Sequence, residues 1–123
     1  MIISFGWTTP ALLAGRKTVT RREWNPDYAD RFYEGQTVDA WNTSPRNVRG
    51  SPRKIATIRL TAKPYLERAR EAPEEDWEGE GFAYLTEISR RVNGHTPEAM
   101  WRAWRLENPQ LWVVRFEVTD LVS

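Results

Sequence analysis

The chain has 123 residues and a formal net charge of +1, a length that suits one domain with a single hydrophobic core. It contains no cysteine and one histidine, His95, which excludes disulfides, thiolate catalysis and Cys-based zinc sites, and we expect no cofactor. We find no apolar stretch long enough to span a bilayer and no signal peptide, so we expect a cytoplasmic protein that does not bind membranes.

The first 24 residues predict a strand, a short helix and a second strand. Residues 2–6 are mostly apolar, and Pro10 follows two threonines that can cap a helix. Gly15 stands where a left-handed residue ends such a helix. The β-branched residues 18–20 then begin a second strand that runs toward Trp24.

The middle of the chain alternates turn signals with short apolar patterns. Residues 27–33 predict two helical turns, and residues 38–41 predict a strand. Residues 42–52 are rich in turn formers and contain no acidic residue, which indicates an exposed loop. Residues 54–61 alternate as a strand does, and the charged residues 65–75 indicate a mixture of helix and loop.

The last third predicts two helices and a closing strand. Apolar residues recur at helical spacing from 81 to 92, and a second helix begins at the cap Thr96 and ends before Asn108. Residues 111–121 alternate as a final strand. We expect three tryptophans of these elements to lie in the core: Trp101, Trp104 and Trp112.

This order of elements predicts an α+β fold. Strands and helices do not alternate regularly, so a mostly antiparallel sheet with helices at its side fits better than a parallel α/β sheet. If the sheet curls or closes, six apolar side chains should point inward: Ile3, Val19, Val38, Ile58, Val114 and Phe116.

The charges divide unevenly between the two halves of the chain. Residues 1–65 carry 11 Lys and Arg against 5 Asp and Glu, and residues 66–123 carry 7 against 12. A basic face of this kind suits a polyanion such as RNA. The alternative is that the acidic residues 74–80 fold across the basic half and neutralise it.

Residues 15–22, Gly-Arg-Lys-Thr-Val-Thr-Arg-Arg, place four cations and two hydroxyls directly after the predicted first helix. The simplest interpretation is a solvated strand edge, because lysine and arginine protect exposed edges from aggregation. The alternative is a functional site.

The same residues resemble the Gly-x-Lys signature of ASCH domains, and the preceding Ile-Ser-Phe-Gly fits that family as well. Three later segments are also similar: residues 54–58 to the central strand of the family, Glu80-Gly81-Phe82 to its step into a helix, and residues 112–118 to its closing strand. The resemblance implies that residues 1–123 are a single ASCH domain with a PUA-like fold. That fold is a small closed or partly closed β-barrel, mostly antiparallel, with flanking helices.

Members of this family that remove the acetyl group from N4-acetylcytidine use a lysine, a threonine and a glutamate. The resemblance assigns these catalytic roles to Lys17, Thr20 and Glu80, with Glu78 or Glu87 as alternative carboxylates. A lysine with a lowered pKa can act as a base, and a threonine hydroxyl needs such a partner to attack an amide. In a regular strand Lys17 and Thr20 would face opposite sides, so Lys17 must lie in the turn before the strand.

A ligand surface is predicted around this site. Arginine and serine side chains of the loop can contact phosphates, and nearby aromatic rings can stack on a base. The expected ligand-binding residues are Trp7, Arg21, Arg22, Trp41, Ser44, Arg46, Arg49, Arg53 and Lys54.

These expectations favour a protein that binds RNA or a modified nucleoside, with Lys17, Thr20, Arg22 and Glu80 lining the pocket. Hydrolysis of an N4-acetylcytidine-type amide is the first enzymatic interpretation, and a metal-independent ribonuclease is the second. A non-catalytic RNA-binding or regulatory module remains an alternative, as does a protein interaction module if the tryptophans are exposed.

Overall fold

The computed structural model describes residues 1–122, in which six strands and five α-helices occur. The strands are β1 (Ile2–Ser4), β2 (Val19–Arg22), β3 (Thr37–Trp41), β4 (Lys54–Leu60), β5 (Tyr65–Arg68) and β6 (Gln110–Leu121). The helices are α1 (Thr9–Leu13), α2 (Pro26–Ala29), α3 (Asp76–Gly79), α4 (Phe82–Glu87) and α5 (Pro97–Glu107). Short 3₁₀ turns lie at Gly6–Thr8, Val48–Gly50 and Ala69–Glu71.

The strands form one mixed sheet with the order β1-β3-β4-β6-β2, to which β5 is added through its pairing with β6. The β1–β3 pair is parallel, and the other pairs are antiparallel. Val113 of β6 lies opposite both Arg21 of β2 and Tyr65 of β5, so these two strands flank opposite edges of β6. The sheet curls into a half-barrel with helices beside it, an α+β fold that agrees with the partly closed form of the prediction.

The main hydrophobic core lies inside this half-barrel. All six side chains predicted to point inward are buried, which confirms the predicted alternation of inward and outward residues along the strands. The largest cluster joins β1, β3, β4 and β6 with Leu12 of α1 and Phe32 after α2. A smaller cluster of Phe82, Leu85 and Val92 packs against Trp101 and its neighbours on the helical side.

Several element predictions were wrong in their bounds. The helix predicted over 81–92 ends at Glu87, because the chain turns at Ser89, whose φ is +56°. The helix predicted over 27–33 is the single turn α2, and the second strand ends at Arg22 before reaching Trp24. The strand β5 was missed, because its mostly exposed residues lack the apolar alternation that identifies a half-buried strand.

The three tryptophans predicted to be core residues are only partly buried. Trp112 shows the reason, because its indole Nε1 donates a 3.0 Å hydrogen bond to the Trp24 carbonyl and so stays at the edge of the core. Within residues 1–122, none of the helices is long and apolar enough to cross a membrane.

Candidate functional site

The turn between α1 and β2 places Lys17 ahead of the pleated strand, as the sequence predicts. Gly15 follows the helix with a left-handed φ of +74°. The backbone N–H groups of Arg16 and Lys17 both donate to the Ala11 carbonyl, at 3.0 and 3.3 Å. Because Lys17 precedes the strand, the direction of its side chain is not set by the alternation of β2. The side chain points into the protein, and the residue is 2% exposed.

Glu80 reaches the same position from the junction between α3 and α4. Gly81 has a left-handed φ of +98°, and a Cβ atom at this residue would lie 2.6 Å from the Ala11 Cβ. A nearby backbone bond from Thr18 N–H to the Gly79 carbonyl, at 2.8 Å, ties the junction to the start of β2. Glycine at position 81 therefore permits the close approach that brings Glu80 against Lys17.

Lys17 and Glu80 form a buried ion pair. The Lys17 Nζ atom donates to the Glu80 backbone oxygen at 2.7 Å and to Glu80 Oε1 at 3.2 Å, and Glu80 is 6% exposed. Burial lowers the pKa of Lys17 to about 8, although the Glu80 carboxylate opposes this change. A lysine with this pKa has a larger fraction of neutral amine near neutral pH than an ordinary lysine, and the neutral amine can act as a base.

Thr20 and Arg22 lie two positions apart on β2, and their side chains are hydrogen-bonded. Arg22 Nε donates to Thr20 Oγ1 at 3.1 Å, and the Arg22 guanidinium lies 5.5 Å from the Phe5 ring centroid. Burial lowers the pKa of Arg22, and its positive charge contributes to the lowered pKa of Lys17. Among residues 1–122 no direct hydrogen bond joins the Thr20 and Lys17 side chains, and Arg22 acts on Lys17 through its charge.

Arg21 points to the other face of β2 and contacts three carboxylates. It donates to Glu80 Oε2 at 2.7 Å, to Glu67 Oε1 at 2.9 Å, and to Asp76. Arg115 on β6 binds the same Asp76 through two hydrogen bonds of 3.0 and 2.9 Å. Arg21, which was predicted to bind a ligand, is thus a member of an internal network of ion pairs.

Sequence reasoning did not name Glu67, Asp76 or Arg115 as site residues. For Asp76 the signal was the acidic run 74–80, for which folding across the basic half was an open alternative. That alternative is realised for the segment 15–22 alone, where Asp76 and Glu80 bind Arg21 and Glu80 also binds Lys17.

The two alternative carboxylates lie outside the buried pair. Glu78 and Glu87 both bind Arg16, the latter at 2.6 Å, and their side chains are 45% and 57% exposed. Glu80 is therefore the carboxylate that the structure brings to Lys17.

The predicted aromatic and loop residues form a second, exposed region. Trp7 is 60% exposed and lines an open groove of about 530 Å³ with Asn42, Thr43 and Asn47. Trp41 is half-buried, and Ser44 accepts a hydrogen bond from the backbone N–H of Arg46 at 3.2 Å.

The basic residues of this loop divide into free and paired cations. Arg46, Arg49 and Arg53 are exposed and take part in none of the ion pairs found within residues 1–122. Lys54 is paired with Asp39 at 3.0 Å. The structure thus does not bring these loop residues into contact with the Lys17–Glu80 pair.

Two concavities flank the buried pair. Glu80 lines a cavity of about 180 Å³ together with Arg21, Phe82, Met100 and Trp104. Lys17 lines an open groove of about 590 Å³ with Gly15, Thr18 and residues 117–121 of β6. In the part of the chain that the structure describes, no group of three His, Asp or Glu side chains is arranged to hold a metal ion.

Comparison with known proteins identifies the fold. No family model matches the sequence, and no curated protein matches it. Among solved structures, the chain is similar to the crystal structure of protein EF3133 from Enterococcus faecalis V583, of family DUF984, with a TM-score of 0.58 and 20% sequence identity. The match covers 96% of this chain and 73% of that chain, and at this identity it shows a shared fold alone.

Proposed function

We propose that this chain binds a modified pyrimidine nucleoside beside the Lys17–Glu80 pair and hydrolyses its N-acyl amide, as in N4-acetylcytidine. The observation that carries the proposal is the buried Lys17 ammonium group, 3.2 Å from a buried carboxylate and with its pKa lowered to about 8. Perturbed titratable groups of this kind concentrate at functional sites. Two further observations support the same assignment. Residues 15–22 resemble the ASCH signature, and the sheet forms a partly closed barrel of the kind expected for a PUA-like domain.

In the proposed reaction Thr20 is the nucleophile and Lys17 is the base. Thr20 Oγ1 attacks the acyl carbon, and neutral Lys17 takes the hydroxyl proton through one water, since no direct hydrogen bond joins the two groups within residues 1–122. The C–N bond breaks, and the amine leaves with a proton delivered through Glu80, which contacts Lys17. Water then attacks the acyl ester on Thr20, which releases the carboxylic acid and restores the hydroxyl.

Arg22 supports the attacking oxygen in this reaction. Its Nε atom already donates to Thr20 Oγ1 at 3.1 Å, so it stabilises negative charge as the hydroxyl is deprotonated. The groove beside Lys17 offers the substrate an approach, and the small cavity beside Glu80 is partly apolar.

The test is acetate release from N4-acetylcytidine, from its deoxy form and from short acetylated RNA, with RNA length followed in parallel. We expect Lys17→Met to lower kcat/KM by about 10²- to 10⁴-fold, the usual contribution of a positioned base. Lys63→Met is the matched control, because Lys63 is an exposed lysine paired with Asp30 on the surface. Wild-type protein that releases no acetate from any of these substrates would refute the hydrolase, and shortened RNA would indicate a ribonuclease instead.

A non-catalytic RNA-binding module is the second candidate. The exposed Trp7 favours it, because it lies beside a loop with three exposed arginines that form no ion pair within residues 1–122. An aromatic ring can stack on an unpaired base while arginines contact the backbone. Changing Arg46, Arg49 and Arg53 together to glutamine should weaken RNA binding and reduce the slope of log K against log salt by about 2, since each phosphate contact in single strands contributes about 0.7.

The control for this measurement removes the same charge elsewhere. Arg31, Arg90 and Arg91 are also exposed, and their combined change to glutamine should leave the slope nearly unchanged. Equal losses in both triple variants would show that binding follows net charge, and would contradict a role for the loop.

A further inference from the structure

A chain of alternating charges leads from the Lys17–Glu80 pair to the outer face of the sheet. Glu80 binds Arg21, Arg21 binds Asp76, and Asp76 binds Arg115. We propose that Asp76 is a positioning residue, which holds Arg21 against Glu80 and so fixes the carboxylate that contacts Lys17. This inference rests on the proposed function of the Lys17–Glu80 site.

The backbone places Asp76 and Glu80 side by side. They are four residues apart, and the Glu80 N–H donates to the Asp76 carbonyl at 2.8 Å, so the single turn of α3 presents both carboxylates to β2. A helix of four residues has little stability of its own. Its side-chain contacts with Arg21 and Arg115 therefore add to the backbone contacts of the α3–α4 junction in fixing the Glu80 carboxylate.

Arg21 can hold Glu80 at a fixed position relative to Asp76 because its guanidinium group is a rigid fork. Nη1 holds Glu80 Oε2 at 2.7 Å, while Nη2 binds Asp76 and Glu67. The side chains of Arg21, Asp76 and Glu80 are 3%, 5% and 8% exposed, so water does not screen these contacts. With Oε2 engaged, Glu80 has Oε1 left for Lys17, which it contacts at 3.2 Å.

The charge of Asp76 also bears on the titration of Lys17. Burial alone would raise the pKa of Asp76, but hydrogen bonds from Arg115 and Arg21 outweigh burial and hold it below its ordinary value. Lys17 faces Glu80, Arg21 and Arg22, and the charges of both arginines lower its pKa. Removing the Asp76 charge leaves the Arg21 charge less balanced, so the pKa of Lys17 should fall further.

The test is Asp76→Asn, read by the titration of Lys17 and by the pH–rate profile. The chain has three lysines, so NMR spectra of protein labelled at the lysine ε-carbon contain three side-chain signals, which Lys17→Met assigns. We expect the Lys17 midpoint to move to lower pH, and the acid limb of kcat to move with it. We also expect kcat to fall about tenfold or more with little change in KM, the signature of a misplaced catalytic group.

Two further variants keep this test decisive. Glu67→Gln removes another carboxylate from Arg21 and should move the Lys17 midpoint in the same direction, even if Asp76→Asn folds poorly. Glu98→Gln is the control, because Glu98 is an exposed carboxylate paired with Arg102 on α5, away from the Lys17–Glu80 pair. If the titration midpoint of Lys17 stays unchanged in both Asp76→Asn and Glu67→Gln, the inference is wrong. Wild-type protein without turnover would refute the proposed hydrolase, and the Lys17 titration would still test whether Asp76 acts on Lys17.

Discussion

The Lys17 ammonium group has three N–H donors, and within residues 1–122 it meets two acceptors, both from Glu80. Burial of a partly satisfied charge is costly, which is the physical origin of its lowered pKa. The same cost makes Lys17 a source of pH-dependent stability. In the native state Lys17 loses its proton near pH 8, whereas in the unfolded state it does so near its ordinary value of 10.5.

The first prediction follows from this difference. Below pH 8 Lys17 is protonated in both states, but between pH 8 and 10.5 unfolding takes up a proton, so stability should rise with pH. The free energy of unfolding of wild type relative to Lys17→Met should therefore increase by about 2 to 3 kcal/mol from pH 7 to pH 10. Urea denaturation at the two pH values measures it, and Lys63→Met should show no such change relative to wild type.

At the residue scale, the sequence predicted part of the candidate site. Gly15 as a helix-ending glycine was sufficient to place Lys17 in the turn, and the resemblance to a family pointed to Thr20 and Glu80. Glu67, Asp76 and Arg115 could not be found in this way, because their partner Arg21 or Asp76 is 39 to 55 positions away in the chain. A local pattern carries no information about such contacts.

Among the elements, the junction of α3 and α4 decides the position of Glu80. It closes against α1 at Gly81, where a side chain would contact Ala11. The second prediction compares two glycines with left-handed φ, Gly81 and Gly15, because a Cβ atom at Gly15 would meet nothing within 4 Å.

Gly15→Ala should cost about 1 to 2 kcal/mol from backbone strain alone. Gly81→Ala should cost more, because it adds a contact of 2.6 Å with the Ala11 Cβ, and it should also displace Glu80 from Lys17. Urea denaturation gives the two costs, and the Lys17 NMR signal reports the displacement. Equal costs with an unchanged Lys17 titration would contradict this account of the junction.

Strand and helix predictions succeeded where one face is buried and failed where neither is. β3, β4 and β6 were predicted because their apolar residues alternate against the barrel core. β5 and the turn after α4 were missed because their residues are mostly exposed. β5 forms through its pairing with β6, and the turn forms through the left-handed residue Ser89.

Across the whole molecule, the two hydrophobic clusters are unequal. The barrel cluster contains 12 buried residues, whereas the helical cluster contains 3, supported by partly buried Trp77, Met100 and Trp101. Resistance to local opening follows the amount of buried apolar contact. The helical side should therefore open without the barrel, and because Glu80 lies between α3 and α4, this opening would also loosen the Lys17–Glu80 pair.

The third prediction is that amide hydrogens of α4 and α5 exchange faster than those of β3 and β4. Leu85→Ala should accelerate exchange on the helical side and lower the stability of that side by about 2 to 5 kcal/mol, the usual cost of this truncation in a core. Leu60→Ala in the barrel is the comparison, and it should affect global unfolding instead. Uniform protection across both clusters would show that the molecule opens as one unit.

β6 is the partner of β2, β4 and β5, and it follows all of them in the chain. During synthesis, the earlier strands β2 and β5 therefore leave the ribosome with no described strand to pair with. Lys17, Thr20 and Glu80 are all translated before residue 110, yet the sheet that orients them awaits the closing segment. Assembly of the candidate site thus requires that β6 has been synthesised, and until then the unpaired edges of β2 and β5 are the surfaces that a chaperone would need to protect.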